Sequence, residues 1–170
     1  MTYQIHHIFS TPLLSHKNFL PEEYFNEAKK IIMSEEYENH HNGHGLMKSS
    51  VTKNILKKIP WLGEEIIETF KEYVRNVHMV DMSIDFKIGS SWGTLTKPGG
   101  GSKMHTHANY YYSGCMYFSE NCSPLCFGSA SHVYDYHQRF LFKYREINQF
   151  NSNELKYPPE KNEIIFFPSY

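Results

Sequence analysis

Ile84-Asp85-Phe86-Lys87-Ile88 is where this 170-residue chain changes period. Apolar and charged residues alternate strictly across it, the pattern of a strand with one buried face. Upstream, Leu62, Ile66, Ile67, Phe70, Tyr73, Val74 and Val77 recur every three or four positions, with Glu64, Glu65, Lys71 and Arg75 mostly opposite. That spacing predicts a core-facing helix over Trp61 to Val77. Farther back, Pro21 followed by Glu22 and Glu23 predicts a helix opening at Asn18 or Phe19, with Tyr24, Ala28, Ile31 and Ile32 on its apolar face. Ile5 to Leu14 reads as an edge strand interrupted by Pro12, and Glu38 to Ser50 reads as a loop carrying His40, His41 and His44.

Downstream, Pro98-Gly99-Gly100-Gly101-Ser102 forms a turn between strands. Further strands are expected around His105-Thr106-His107, Gly114 to Phe118, Leu125 to Gly128, Phe140 to Phe142 and Ile164 to Pro168. Helices first and strands afterwards give an α+β class in a single domain, residues 1–170. Its helical support region runs over about 15–80 and its mainly antiparallel β region over about 82–170.

Composition narrows the function. Seventeen Lys+Arg against eighteen Asp+Glu leave a net charge of -1, without the basic excess of a dedicated nucleic-acid binder. No apolar run reaches the ~18 residues needed to span a bilayer, and Met1 to Ser10 lacks a signal-peptide pattern. Three cysteines and no export signal fit a reducing, cytoplasmic setting. Cys122 and Cys126, with three residues including Pro124 between them, are a poor match to structural zinc spacing. No P-loop occurs, so the kinase reading falls.

The feature that carries chemistry is His105-Thr106-His107. On an extended segment side chains alternate, so both imidazoles project to one side and can converge on one metal ion. The bland alternative is two histidines on a polar strand face. Trp92 and Tyr117 are placed to wall a pocket, Asn109 and Tyr117 to hydrogen-bond a bound ligand, and Tyr111 to line the entrance. Each is equally readable as packing. The histidines of the Gly/Asn loop, His40, His41 and His44, read as solvated.

Trp92 to Phe118, with its Pro-Gly turn, H-x-H and Ser113-Gly114-x-x-Tyr117, resembles the 2-oxoglutarate/Fe(II)-dependent oxygenases found in phage and bacterial genomes. Pro159 to Ser169, ending in Phe167-Pro168-Ser169, resembles a later strand of that family. The resemblance implies a double-stranded β-helix, or jelly roll, holding Fe(II) through His105 and His107, with 2-oxoglutarate as cosubstrate and a small-molecule or protein substrate. It implies no membrane partner, and a host cytoplasm if the gene is a phage's. Two departures accompany it. A histidine, His107, stands where the superfamily usually has a carboxylate, which raises the charge of the site. The family's distal histidine and its keto-acid arginine would fall beyond Tyr170, so the jelly roll is expected to be C-terminally incomplete, with Ile164 to Phe167 left as an exposed edge. Substitute ligands are sought in His132, His137, Glu120 and Asp135, and a substitute carboxylate partner in Arg139 or Arg145.

Two alternatives stand beside the oxygenase. One is a non-catalytic jelly-roll module that binds a ligand or protein. The other is a cupin-like metalloprotein, suggested by Gly99 and H-x-H, although Tyr111 and Tyr112 occupy the places of the cupin glutamate.

Overall fold

The computed structural model describes residues 4, 10–81, 83–128, 145–146, 148, 152 and 154–169. Two helices and a set of antiparallel sheets define an α+β protein. No helix among the described residues is long and apolar enough to cross a membrane.

The central strand is β10, Glu163–Pro168, which pairs on one side with β1, Leu14–His16, and on the other with β7, Tyr112–Tyr117. Ile164, Ile165 and Phe166 are all buried. A strand alternates its faces, so a continuous apolar run is stable only when both faces are covered. Ile164 and Phe166 point into the core beneath the helices, where the Phe166 ring lies 5.6 Å from Phe70. On the other face Phe167 meets Phe127 edge-on at 5.0 Å. Phe127 belongs to β8, Leu125–Gly128, paired with β9, Glu154–Tyr157. The expected exposed edge is therefore corrected: both edges of Ile164 to Phe167 are hydrogen-bonded.

Helix α2, Pro60–Val77, follows its predicted periodicity and buries Leu62, Phe70, Tyr73 and Val74. Proline at its first position costs nothing, because that N–H has no partner within a helix. Helix α1, Glu22–Met33, begins after Asn18, whose φ of 51° puts it in a left-handed turn and excludes it from the helix. Its buried face is Phe25 and Ala28; Tyr24 is exposed and packs edge-on against Trp61. Phe70 gathers Phe86, Tyr112 and Phe166 within 5.0 to 5.6 Å, so one aromatic cluster joins α2 to the central sheet. Gly114 makes this possible, since a Cβ there would stand 3.0 Å from the Phe166 ring.

Two more expectations change. Glu38 to Ser50 is not a loop: β2, Tyr37–Asn39, β3, Gly43–His44, and β4, Met47–Ser50, fall there, and β4 also pairs with β5, Thr94–Thr96. Ile84 to Ile88 forms no ladder. Phe86 is drawn to Phe70 while Ile84 stays exposed. The expected strand at Phe140 to Phe142, and Ile5 to Phe9 of the expected edge strand, lie outside the described residues.

Glu163 is fully buried at the start of β10. Its carboxylate accepts hydrogen bonds from Ser15, from Tyr157 at 2.6 Å and from the Glu160 N–H at 2.6 Å. Burial alone would push this carboxyl up. The three donors outweigh it and hold the group below its ordinary value. Strands β1, β9 and β10 are thus tied at one buried charge.

Candidate functional site

The site grows from a turn. Gly100 N–H donates to the Lys97 carbonyl at 2.9 Å, with Pro98 and Gly99 between them and Gly99 at φ 82°. A positive φ after proline is the type II arrangement, which glycine adopts without strain. The chain then enters β6, Gly101–Ser102, paired with β3. Beyond it, residues 103 to 107 have no ladder of their own but are pinned at both ends. Lys103 N–H donates to Asn42 O at 2.9 Å, and His107 N–H to Ser169 O at 3.0 Å, just past the end of β10. A further bond, Tyr110 N–H to His107 O at 2.9 Å, closes the turn after the pair.

Suspended so, His105 and His107 face each other. Their ring centroids are 5.0 Å apart and their Nε2 atoms 3.0 Å apart. His105 Nδ1 lies 2.7 Å from the Lys103 carbonyl, with the Ser102 hydroxyl farther off at 3.5 Å. A carbonyl only accepts, so Nδ1 carries the proton and Nε2 of the neutral ring is a lone pair. His107 Nδ1 lies 2.8 Å from Ser113 Oγ, which lies 2.8 Å from Ser169 Oγ. Burial, and then the His105 imidazole, lower the proton affinity of His107 below the ordinary imidazole value. Trp92 stands over it at 6.0 Å between centroids. Backbone bonds from Ile55 and to Lys53, both at 3.0 Å, fix neighbouring Ser91 and hence the place of that indole.

Two imidazole nitrogens bound at about 2.1 Å to one divalent ion, about 90° apart, stand about 3.0 Å from each other. The observed separation of 3.0 Å equals that of a cis ligand pair. Among the described residues no group of three His, Cys, Asp or Glu side chains gathers.

The other candidate residues separate. Tyr111 is 90% exposed, and its carbonyl accepts the Ser169 N–H at 3.0 Å, which places it on the rim. Asn109 is exposed on the turn after His107. Tyr117 is not brought to the pair. It lies four residues along β7 from Ser113, about 14 Å at the strand rise, where it opposes Glu163. Burial raises its phenol above the ordinary range, as expected of a packed tyrosine. Glu120 lies beyond that end and pairs with Lys161 at 2.9 Å, so it is no substitute ligand. Arg145 is exposed; His132, Asp135, His137 and Arg139 lie outside the described residues. Tyr112, at a place of the cupin glutamate, is engaged with Phe70 at 5.0 Å. Cys122 and Cys126 turn their thiols to nearby carbonyls, of Ser119 and Pro124.

Of the histidines of β2 to β4, His41 and His44 are exposed as expected, whereas His40 is not simply solvated. His40 stacks on His41 at 4.9 Å, and its Nδ1 accepts the Asn42 N–H at 3.1 Å. Burial, then His41 and His105, lower its proton affinity.

The residues that sequence reasoning missed are Ser113 and Ser169. Both were visible, as the serines of Ser-Gly and Phe-Pro-Ser, but only as landmarks. The three motif stretches meet at one point: H-x-H, Ser113 and Ser169 form one hydrogen-bonded line. Against protein-family models, curated proteins and solved structures, the chain finds no match.

Proposed function

We propose that the chain is a non-haem Fe(II) and 2-oxoglutarate-dependent oxygenase of the double-stranded β-helix type, with His105 and His107 as two cis metal ligands. The observation that carries it is the 3.0 Å approach of the two Nε2 atoms, the spacing a shared divalent ion requires. The meeting of all three motif stretches at that spot supports the resemblance. Packing of β8 over β10 through Phe127 and Phe167 supports opposed sheets of a jelly roll.

The protein's part is orientation. The Lys103 carbonyl fixes the His105 ring, and the end of β10 fixes the backbone of His107. Trp92 stands beside His107 on one side of the pair. Two neutral imidazoles leave the remaining coordination positions to a further ligand and the cosubstrates. When bound, Fe(II) would supply the oxidative chemistry by which 2-oxoglutarate, dioxygen and a substrate C–H bond give succinate, CO2 and the hydroxylated substrate.

The test is anaerobic Fe(II) titration followed by aerobic incubation with 2-oxoglutarate. Wild type is expected to bind one Fe(II) and release succinate, while His105→Ala and His107→Ala each lose the iron. Unchanged iron uptake by either variant would remove the metal site. Iron bound without succinate would leave the second reading, a non-catalytic ligand- or protein-binding module. One observation favours that reading: a proton on His107 Nε2 would close the line from Lys103 O to Ser169 Oγ with no cation.

A further inference from the structure

The two serines behind His107 are not ligands, yet the pair cannot bind an ion unless they act in one particular direction. His105 is settled by the Lys103 carbonyl, which leaves its Nε2 a lone pair. His107 has no carbonyl at Nδ1; it has a hydroxyl, that of Ser113 at 2.8 Å. A hydroxyl can donate to an imidazole nitrogen or accept from one. If Ser113 donates, the His107 proton moves to Nε2 and points at His105, and the place for a cation is filled by a hydrogen bond. If Ser113 accepts, Nε2 is free to bind. Its own proton then needs an acceptor, and Ser169 Oγ stands 2.8 Å away to take it.

Both serines are built into the frame. Ser113 lies on β7 opposite Phe167, and Ser169 is buried one residue past the end of β10. Ser169 also holds the site by its main chain, accepting from His107 N–H and donating to Tyr111 O, each at 3.0 Å. Its side chain is therefore aimed by the most buried strand among the described residues.

Resting on the metal-binding reading above, we propose that Ser113 and Ser169 are positioning residues. Ser113 accepts the His107 Nδ1 proton and donates to Ser169, which turns the His107 Nε2 lone pair toward the metal shared with His105. The function belongs to the hydroxyl of Ser113: alanine abolishes it, and threonine preserves it.

The experiment uses the full chain with Co(II) alone as probe, followed by calorimetry, and Zn(II)-loaded protein for long-range ¹H–¹⁵N spectra of the histidine rings. Ser113→Ala and Ser169→Ala are each expected to weaken Co(II) binding about 10- to 100-fold, with Ser113→Thr within about threefold of wild type. In the Zn(II) form wild-type His107 is expected to show a protonated Nδ1 and a metal-bound Nε2. Ser113→Ala affinity within twofold of wild type would overturn the positioning role and leave the metal site standing. Equal weakening in Ser113→Thr and Ser113→Ala would also overturn it, by assigning the effect to packing. Should Ser113→Ala not fold, Ser169→Ala and Ser113→Thr carry the same comparison. A wild-type chain that takes up no Co(II) would sink the metal reading itself, a result distinguishable from all the others.

Discussion

Removing the Glu163 carboxylate tests the account of how the central sheet is held. In Glu163→Ala the Glu160 N–H, bonded at 2.6 Å in the wild type, loses its acceptor. An unsatisfied, partly buried donor costs about 2 kcal/mol. One buried methylene, Cγ, goes as well, at about 0.8 kcal/mol. Ser15 and Tyr157 lose less, because with the carboxylate gone the Tyr157 hydroxyl can turn its proton to Ser15 Oγ, 2.8 Å away. The sum is about 3 kcal/mol, or a fall of about 8 °C in Tm for a chain of this size. Urea unfolding followed by circular dichroism should show a lower midpoint with an unchanged slope. Acid provides a second reading. Since the folded carboxyl titrates below its ordinary value, its stabilisation is complete above the unfolded value of about 4.3 and is lost as pH falls through the folded one. The gap between wild type and Glu163→Ala should therefore narrow on acidification. A loss under about 1 kcal/mol at neutral pH, or a gap that widens in acid, would refute the reasoning.

Three other outcomes are expected. Phe70→Ala removes the ring that joins Phe86, Tyr112 and Phe166, and should cost about 3–5 kcal/mol in the same urea assay. Tyr117→Phe should leave Co(II) affinity within twofold of wild type, because that hydroxyl lies at the far end of β7; a larger change would contradict its placement opposite Glu163. Burial pushes the Cys115 thiol up to about 11. At pH 8 only about one thiol in a thousand is ionised, so mass spectrometry should find exposed Cys126 alkylated by iodoacetamide long before Cys115.

Some of this architecture was legible in the sequence. The three- and four-residue spacing from Leu62 to Val77 specifies one helix face, of which α2 buries Leu62, Phe70, Tyr73 and Val74 while Val77 at its end stays exposed. The run Ile164 to Phe167 announces a strand, but not its neighbours. A run buried on both faces says nothing about what lies at its edges, so the expected exposed edge proved to be the centre of a sheet. Strands β2 and β4 escaped notice because Glu38, Asn39, Lys48 and Ser49 are polar. What fixes them is pairing with β5 and the Ser50 hydroxyl accepting Gly93 N–H at 3.0 Å, contacts between residues far apart in the chain. At Ile84 to Ile88 the alternation is real, yet alternation makes a strand only where a partner backbone lies alongside. The site divided similarly. His105 and His107 meet because two residues on an extended segment project together, whereas Tyr117, ten residues on from His107, is carried away along β7.

The attachment of His107 to the residue after β10 divides the molecule by what natural variation can touch. The ring inherits its steadiness from the same strand that fills the core, so changes beneath the helices would be felt at the imidazole, some distance from where they occur. Trp92, Asn109 and Tyr111, standing outward around it, answer to no such constraint. Descendants of this chain could exchange those three side chains while the two histidines keep their geometry.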